Sequence, residues 1–413
     1  MQFLYRSKYQ SLLFCFFLLI FSNSDVIAQI TFKKPVTFYV HRVAAAGGDG
    51  TLLHPFQKIS TALITANNNN QQVIVNIISG SYIENLVITG NTTLIGIIKP
   101  GRMIKNPETI LVGSVHNNSS STLKIENLRI SNAPAPGAIV VINDKAITIL
   151  KNVTIEKATR YGIYQQGGKL TINKGTIVFT SVGMIAGYEK KMSKELVSYG
   201  TGIFLKNAIA DLSDIILRSN QQGIVADGAS TNVEVNNMLV ERHVISPVIK
   251  ADFICKSKRF NNGLSAVEVL NGATMQVNAV KILDNEFCGL YIHDGAKFTG
   301  TDVVILRTKK LICVDSREWG GVNAIVVNGG AYIKLSHFEI GYADLCGLQL
   351  INATGNCSNG KVHNNVIGMN INKLPAGFNF ADLMINVVFQ NNERNVDADI
   401  LVIPTPEIPD FNN

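Results

Sequence analysis

One phrase recurs along the chain: a small residue, a short alternating apolar run, and a turn built on Asn, Asp or Gly. It reads Gly137-Ala138-Ile139-Val140, Gly162-Ile163-Tyr164, Gly202-Ile203-Phe204, Gly223-Ile224-Val225, Ala266-Val267-Glu268-Val269, Gly289-Leu290-Tyr291, Ala324-Ile325-Val326-Val327, Gly347-Leu348-Gln349 and Gly368-Met369-Asn370-Ile371. Successive starts lie 25, 40, 21, 43, 23, 35, 23 and 21 residues apart. Alternation at a period of two marks strands, and a repeat of about 21 to 25 residues marks a solenoid. Strands this short and close leave no room for the crossover helices that an ordinary parallel sheet requires. A coil of three short strands solves the problem by laying each strand above its equivalent one turn earlier, at a rise of about 4.8 Å per coil. The expected fold class is all-β, a parallel β-helix.

Before the repeats, Phe38-Tyr39-Val40 reads as a strand and Gly47-Gly48-Asp49-Gly50-Thr51 as a tight turn. Pro55 then opens an amphipathic segment, with Phe56, Ile59, Leu63 and Ala66 on one helical face. An end coil exposes apolar stacking surface and unpaired strand edges, so this helix is expected to cap the solenoid. Asn67 to Asn70 should end it as a polar loop. Strands follow at Val73 to Ile78, Gly80 to Asn85, Leu86 to Ile88 and Thr93 to Gly96. At the far end Met384 to Phe389, with Asn391-Asn392, looks like a final half-turn, and a tail carrying Pro404, Pro406 and Pro409 cannot continue a ladder. The expected organisation is a signal segment at 1–28, a strand and capping helix at 29–72, the β-helix at 73–395 and the tail at 396–413.

Residues 1–28 have the form of a secretory signal, with Arg6 and Lys8 at the charged start, an apolar core from Leu12 to Phe21, and Val26-Ile27-Ala28 before the cut. No later stretch of about 18 apolar residues would span a membrane. The mature protein is expected to be secreted, periplasmic or on the cell surface, and monomeric. Cys15 leaves with the signal, and Cys255, Cys288, Cys313, Cys346 and Cys357 remain, an odd set with no CxxC pair. Cys288 and Cys346 each precede a Gly-Leu two coils apart, about 10 Å, too far to bridge. Cys255 and Cys313 are expected to pair; Cys346 and Cys357 would close a short local loop, and Cys288 would be a free thiol buried between coils.

Phe38-Tyr39-Val40, Gly48-Asp49-Gly50-Thr51, Pro55-Phe56-Gln57-Lys58-Ile59 with Ala62-Leu63, and Gly80-Ser81-Tyr82-Ile83-Glu84 resemble the opening of secreted right-handed parallel β-helix proteins of the pectin-lyase-like superfamily. The later coils, about residues 120 to 395, share its pattern. The resemblance implies a right-handed coil and leaves activity open. Pectate lyases of this fold gather Asp and Glu on one face to hold calcium, and no such cluster shows in the sequence, so the cofactor stays unknown. The Asn-Thr-Asp run and Gly-His-Gly of polygalacturonases are absent. Pectin methylesterases share Gly80, Tyr82 and Glu84, and Asp252-Phe253-Ile254 echoes their aspartate segment, but their second aspartate region and Gly-Arg-Pro-Trp are missing. No complete catalytic motif appears, and catalytic residues stay unassigned. His293-Asp294 falls where Asp227-Gly228 and Asn328-Gly329 turn in other coils, which points to a turn. His41, His54, His116, His243, His337 and His363 are scattered without metal-ligand spacing. Asn143, Asn173, Asn207, Asn271 and Asn328 are expected at coil corners, where Asn tolerates left-handed backbone.

The three long steps place extra residues at about 183–199, 242–262 and 307–321, on alternate coils and at a similar phase. They should emerge from one flank, about 10 Å apart, where they could wall a groove. Basic residues dominate them. The chain carries a net charge of +7, and without Arg6, Lys8 and Asp25 it keeps a surplus of +6. Such a surplus favours acidic partners. Nucleic acid is disfavoured, because no zinc, helix-turn-helix or RNA-binding signature accompanies the charge. Lys190, Lys191, Arg242, Lys256, Arg259 and Arg317 are suited to uronate carboxylates, and the single tryptophan, Trp319, to a sugar ring. The function expected is the binding of an acidic polysaccharide or a cell-surface partner along that flank. One alternative is a polysaccharide lyase or glycoside hydrolase using a loop base of lowered pKa; another is a structural envelope element. Fold alone does not choose among them.

Overall fold

A computed structural model of the protein describes residues 34–67, 72–98, 107–181, 200–244, 265–312, 318–319, 322–373 and 380–398. The chain divides into Met1–Lys34 and Pro35–Asn413, and the architecture that follows is that of the second unit. Its coils stack in parallel into a 16-stranded and a 12-stranded sheet, here the broad and the narrow sheet. The coil is the right-handed parallel β-helix.

Every repeated phrase forms a narrow-sheet strand, such as Thr201–Lys206, Gln222–Asp227 and Cys288–Ile292. Its apolar residue points inward, so that Ile139, Ile163, Ile203, Ile224, Val267, Leu290, Ile325, Leu348 and Met369 stand one above another, all buried. The register aligns Ile139 with Ile163, so the first step is 24 residues and not the 25 counted from the glycines. The residue before each is small because the next coil is close. A Cβ on Gly223 would meet the Ala266 carbonyl oxygen at 2.6 Å and Val240 Cγ1 at 2.8 Å. Ala138, Ala266 and Ala324 fill the same place elsewhere, so the requirement is smallness rather than glycine itself.

From Ile147–Glu156 to Thr354–His363 the other two strands of each coil are fused. Broad-sheet strands such as Lys169–Val178 and Asn232–Glu241 run for ten residues but bend once inside. The bend falls on a left-handed residue in each of these ten-residue strands: Asn152, Lys174, Asp214, Asn237, Ala279, Asp302, His337 and Asn359, with φ between 51° and 62°. Left-handed backbone costs an ordinary L-residue about 1–2 kcal/mol, and Asn and Asp least. A second left-handed corner closes the same strands at Lys157, Phe179, Ser219, Arg242, Asp284, Arg307, Tyr342 and Asn364. Of the asparagines expected at corners, Asn207 and Asn271 have positive φ. Asn143 holds a turn instead by accepting the Lys145 N–H at 2.9 Å. Asn173 lies inside Lys169–Val178, and Asn328 ends the strand Asn323–Asn328.

The cap helix spans Ile59–Asn67 and buries Ile59, Ala62, Leu63 and Ala66. Phe56 lies ahead of it, bridged to Val40 and packed on the Phe38 ring at 5.3 Å. Both Glu84 carboxylate oxygens accept the helix's first N–H groups, from Ile59 and Ser60, at 2.8 Å. Tyr82 donates its hydroxyl to the Ile78 carbonyl at 2.8 Å and accepts the Arg42 N–H at 3.3 Å. The Gly80 to Glu84 segment therefore ties the cap to the first coil. At the other end the expected half-turn is a full one: Met384–Gln390 pairs in the broad sheet and Arg394–Asp397 in the narrow one. Cys288, Cys346 and Cys357 are free and buried. Cys346 stands in the narrow sheet and Cys357 in the broad one, so the local bridge between them is not formed. Burial pushes the thiols of both up to about 12. Cys255 and Cys313 lie outside the described residues.

Because the inner corner requires φ near +59° at Asn237, Asn237→Val should lose about 1–2 kcal/mol of stability in urea unfolding, whereas Asn237→Gly should stay close to wild type. Equal losses in the two variants would show that backbone strain is not what selects Asn there.

Candidate functional site

The three insertions leave the coil at one corner. They follow the broad-sheet strands Lys169–Val178, Asn232–Glu241 and Lys297–Leu306 and lead into the narrow-sheet strands Thr201–Lys206, Ser265–Leu270 and Asn323–Asn328. In sheet order each of these strands alternates with one reached by a short turn. The strands that bound the insertions thus share the corner expected of them, and most of the insertion residues themselves lie outside the described residues.

Their necks are built from backbone and buried polar groups. Arg160, at φ +73°, donates its N–H to Ser181 and accepts from Gly200 and Thr201, so one residue holds both ends of the first insertion. Phe287, at φ +76°, donates to the Lys309 carbonyl where the third begins. Asn220, Asn285 and Asn365 accept the N–H of Thr180, His243 and Ala343 at 2.9 to 3.0 Å. His243 takes the place of an asparagine in this row. Its ring nitrogens lie 3.0 Å from the Asn220 carbonyl and 3.2 Å from that of Leu217. Burial pushes its pKa down to about 4 against those carbonyls, so it is neutral at pH 7 and serves the corner.

Lys190, Lys191, Lys256, Arg259 and Arg317 lie outside the described residues. Arg242 occupies the left-handed corner at φ +55° and donates its N–H to Leu283. Trp319 belongs to a two-residue antiparallel pairing within the third insertion, opposite Leu311. Not all the basic charge at this corner is available to a ligand. Arg307 grips both Asp284 carboxylate oxygens at 2.8 Å, with Lys309 at 3.6 Å, and the Arg307 hydrogen bond holds the Asp284 pKa below the usual range in spite of burial.

The strands that the insertions enter, with the plain strands between them, carry a chemically mixed set of side chains. Near the first neck, Tyr164 and Phe204 stack at 5.6 Å, Tyr161 touches both, and the Arg160 guanidinium lies 5.7 Å from the Tyr161 ring. Two coils further on stands a buried network. Glu268 is 2 % exposed and His293 1 %. One Glu268 oxygen accepts from Gln222 at 2.9 Å and the other meets His293 Nε2 at 3.0 Å. His293 Nδ1 lies 2.8 Å from Asp294, and its ring stacks on Tyr291 at 4.2 Å. Gln222 in turn accepts the Thr201 hydroxyl at 2.9 Å. Asp294 has φ +52°, the turn role expected of it, but His293 is an ion-pair partner in addition.

Sequence reasoning passed over Glu268, although the signal was present. In equivalent strands its place holds Val140, Tyr164, Phe204, Val225, Tyr291 and Val326, with polar residues toward the ends of the row, at His116, Gln349 and Asn370, so a carboxylate there interrupts an apolar run. A buried charge needs a partner, and the partner was the histidine 25 residues on.

No protein-family model matches the chain, and no curated protein matches it. Among solved structures it is similar to the A-module of the mannuronan C-5 epimerase AlgE4 of Azotobacter vinelandii, with 13 % identity over 87 % of this chain and 98 % of that one and a TM-score of 0.51. It is also similar to the pectate lyase Pel9A, with 11 % identity over 92 % and 83 % and a TM-score of 0.41. A third is a mannuronic-acid-specific polysaccharide family 6 lyase from human gut microbiota, with 12 % identity over 86 % and 91 % and a TM-score of 0.41. The first of these likenesses bears out the fold, a right-handed parallel β-helix.

Removing one partner of a buried ion pair strands the other, at a cost of about 3–5 kcal/mol. Glu268→Ala should accordingly lower unfolding stability by about that amount, and Glu268→Gln, which keeps an acceptor for His293, by less. A loss below about 1 kcal/mol for Glu268→Ala would mean that the network contributes little to the stack.

Proposed function

We propose that the protein binds an acidic polysaccharide along the outward face of the narrow sheet, between its three insertions. The carrying observation is that insertions rich in Lys and Arg all enter one sheet from one corner, on alternate coils. The strands they enter are two coils, about 10 Å, apart, a spacing suited to a linear polymer with a carboxylate on every sugar. Lys190, Lys191, Arg242, Lys256, Arg259 and Arg317 supply the charge and Trp319 a ring face. Export through the N-terminal signal would bring a monomeric protein to such polymers outside the cytoplasm. The neighbour named as a mannuronan epimerase acts on a polymer of this kind with the same fold.

A second function, polysaccharide lyase or hydrolase, is favoured by one observation, the Glu268–His293 pair on the same face. A carboxylate and an imidazole are the groups that general acid–base chemistry uses. Both are occupied by protein partners, so binding is the function better supported.

Purified protein should be retained on immobilised polygalacturonate or polymannuronate, and retention should weaken as salt rises. Arg317→Ala combined with Trp319→Ala should reduce affinity about tenfold, roughly 1.4 kcal/mol. Unchanged retention in that double variant would move the site off this flank. Release of unsaturated products or new reducing ends would replace binding with catalysis.

A further inference from the structure

The side chains Thr201, Gln222, Glu268, His293 and Asp294 form one chain of hydrogen bonds across consecutive strands of the narrow sheet. It begins at the strand entered by the first insertion and passes through the strand entered by the second. Its far end is Asp294, whose side chain is 57 % exposed at a left-handed corner. Thr201 donates to Gln222, Gln222 donates to one Glu268 oxygen, and the other oxygen faces His293. The histidine has a carboxylate at each ring nitrogen. A neutral imidazole has one N–H and can satisfy only one of them, turning a lone pair on the other; the charged form satisfies both.

Among the described residues, the remaining neighbours leave His293 as the group that responds. Tyr291 and Cys288 share its strand; burial pushes the Tyr291 hydroxyl up to about 12 and raises the Cys288 thiol well above its ordinary value, so both stay neutral. The preceding coil offers Glu268 and, behind it, the neutral Gln222; the following coil offers Asn328, also neutral, which bonds Tyr291. Burial by itself disfavours the imidazolium, but the hydrogen bond and charge of Glu268, followed by those of Asp294, outweigh it and raise the His293 pKa.

We propose that this clamp is a proton-operated control of the binding face. With His293 charged, it ties the coils beneath the insertions together and leaves the cluster with one net negative charge; with His293 neutral, it loses a hydrogen bond and presents two negative charges to an acidic polymer. The polymer half of the proposal rests on the function proposed above; the clamp itself does not. The folded pKa lies above that of the unfolded chain. The stabilisation is therefore complete below the ordinary imidazole value of about 6.5 and is lost as pH rises through the higher folded value. Acid should strengthen both the fold and the hold on a polyanion.

Urea unfolding and retention of polygalacturonate, measured on the full chain from about pH 5.5 to about pH 9, test both halves. Wild type should unfold at lower urea as pH rises above about 6.5, and its affinity for the polymer should fall roughly threefold or more over the same range. His293→Gln should flatten both profiles, and Asp294→Asn, which keeps a residue suited to the corner, should move the decline to lower pH. A variant pair whose unfolding follows the wild-type pH profile overturns the clamp. If His293→Gln does not fold, Asp294→Asn decides alone, an unmoved profile again overturning it. Unfolding that behaves as expected while no polymer is retained at any pH upholds the clamp and sinks the polysaccharide function. Retention whose pH profile survives His293→Gln removes the control over binding.

Discussion

The backbone ladder between successive coils is the constraint on which everything else depends. Each coil must return to its starting point one strand spacing higher, about 4.8 Å, or every backbone group in the next coil loses its partner. That demand fixes where the chain turns. In coil after coil the left-handed corner falls at the same place in the register, whether the residue there is Asn152, Lys174, Asp214 or His337. The residue types vary because the ladder over-determines the corner and can hold even Lys or Ala in a conformation they seldom visit. Asn and Asp are frequent there because they cost least, and their side chains can join neighbouring coils, as Asn237 does by donating to Asp214 at 2.6 Å.

The same ladder explains why a solenoid can bury charge on a face that points outward. Equivalent side chains in adjacent coils are held about 4.8 Å apart, close enough for a carboxylate on one coil to find a partner on the next without any adjustment of the backbone. Glu268 uses this spacing in both directions, toward Gln222 on one side and His293 on the other. The amide row Asn323, Gln349 and Asn370 does the same with neutral groups further along. Desolvation is therefore met by partners that the fold delivers, and a polar stripe can run along a surface that in most coils carries Val, Tyr or Phe.

Much of this architecture was legible from the sequence, because period-two alternation and a fixed repeat are direct images of strand and coil. The corners were only partly legible. Asn207 and Asn271 advertise left-handed backbone, but Lys174, Ala279 and His337 occupy it without any local signal, since the cause is the register of neighbouring coils. The N-terminal motif was visible as a resemblance, and its physical task, the Glu84 carboxylate on two N–H groups of the cap helix, required the long-range contact to be seen. Counting charges in the insertions overstated the free cations, because Arg307 looks like any other basic residue until Asp284, 23 residues earlier, is stacked beside it. His243 likewise falls in a charged insertion by sequence but is a buried neutral stand-in for Asn in the structure.

The placement of the insertions follows from the same economy. A turn can be lengthened without cost to the ladder only where the two strands it joins are already positioned by the coils above and below. The corner into the narrow sheet meets that condition, since Arg160 bonds both ends of the first neck, Glu286 donates to His243 where the second begins and Phe287 donates to Lys309 where the third begins. Alternation of long and short turns then leaves a plain coil between each inserted pair. Those plain coils carry Gln222 and His293, while the inserted ones carry Thr201 and Glu268. The hydrogen-bonded chain thus alternates between the coils that bear insertions and those that do not. A change at His293 is in this way one coil from the strand that follows the second insertion.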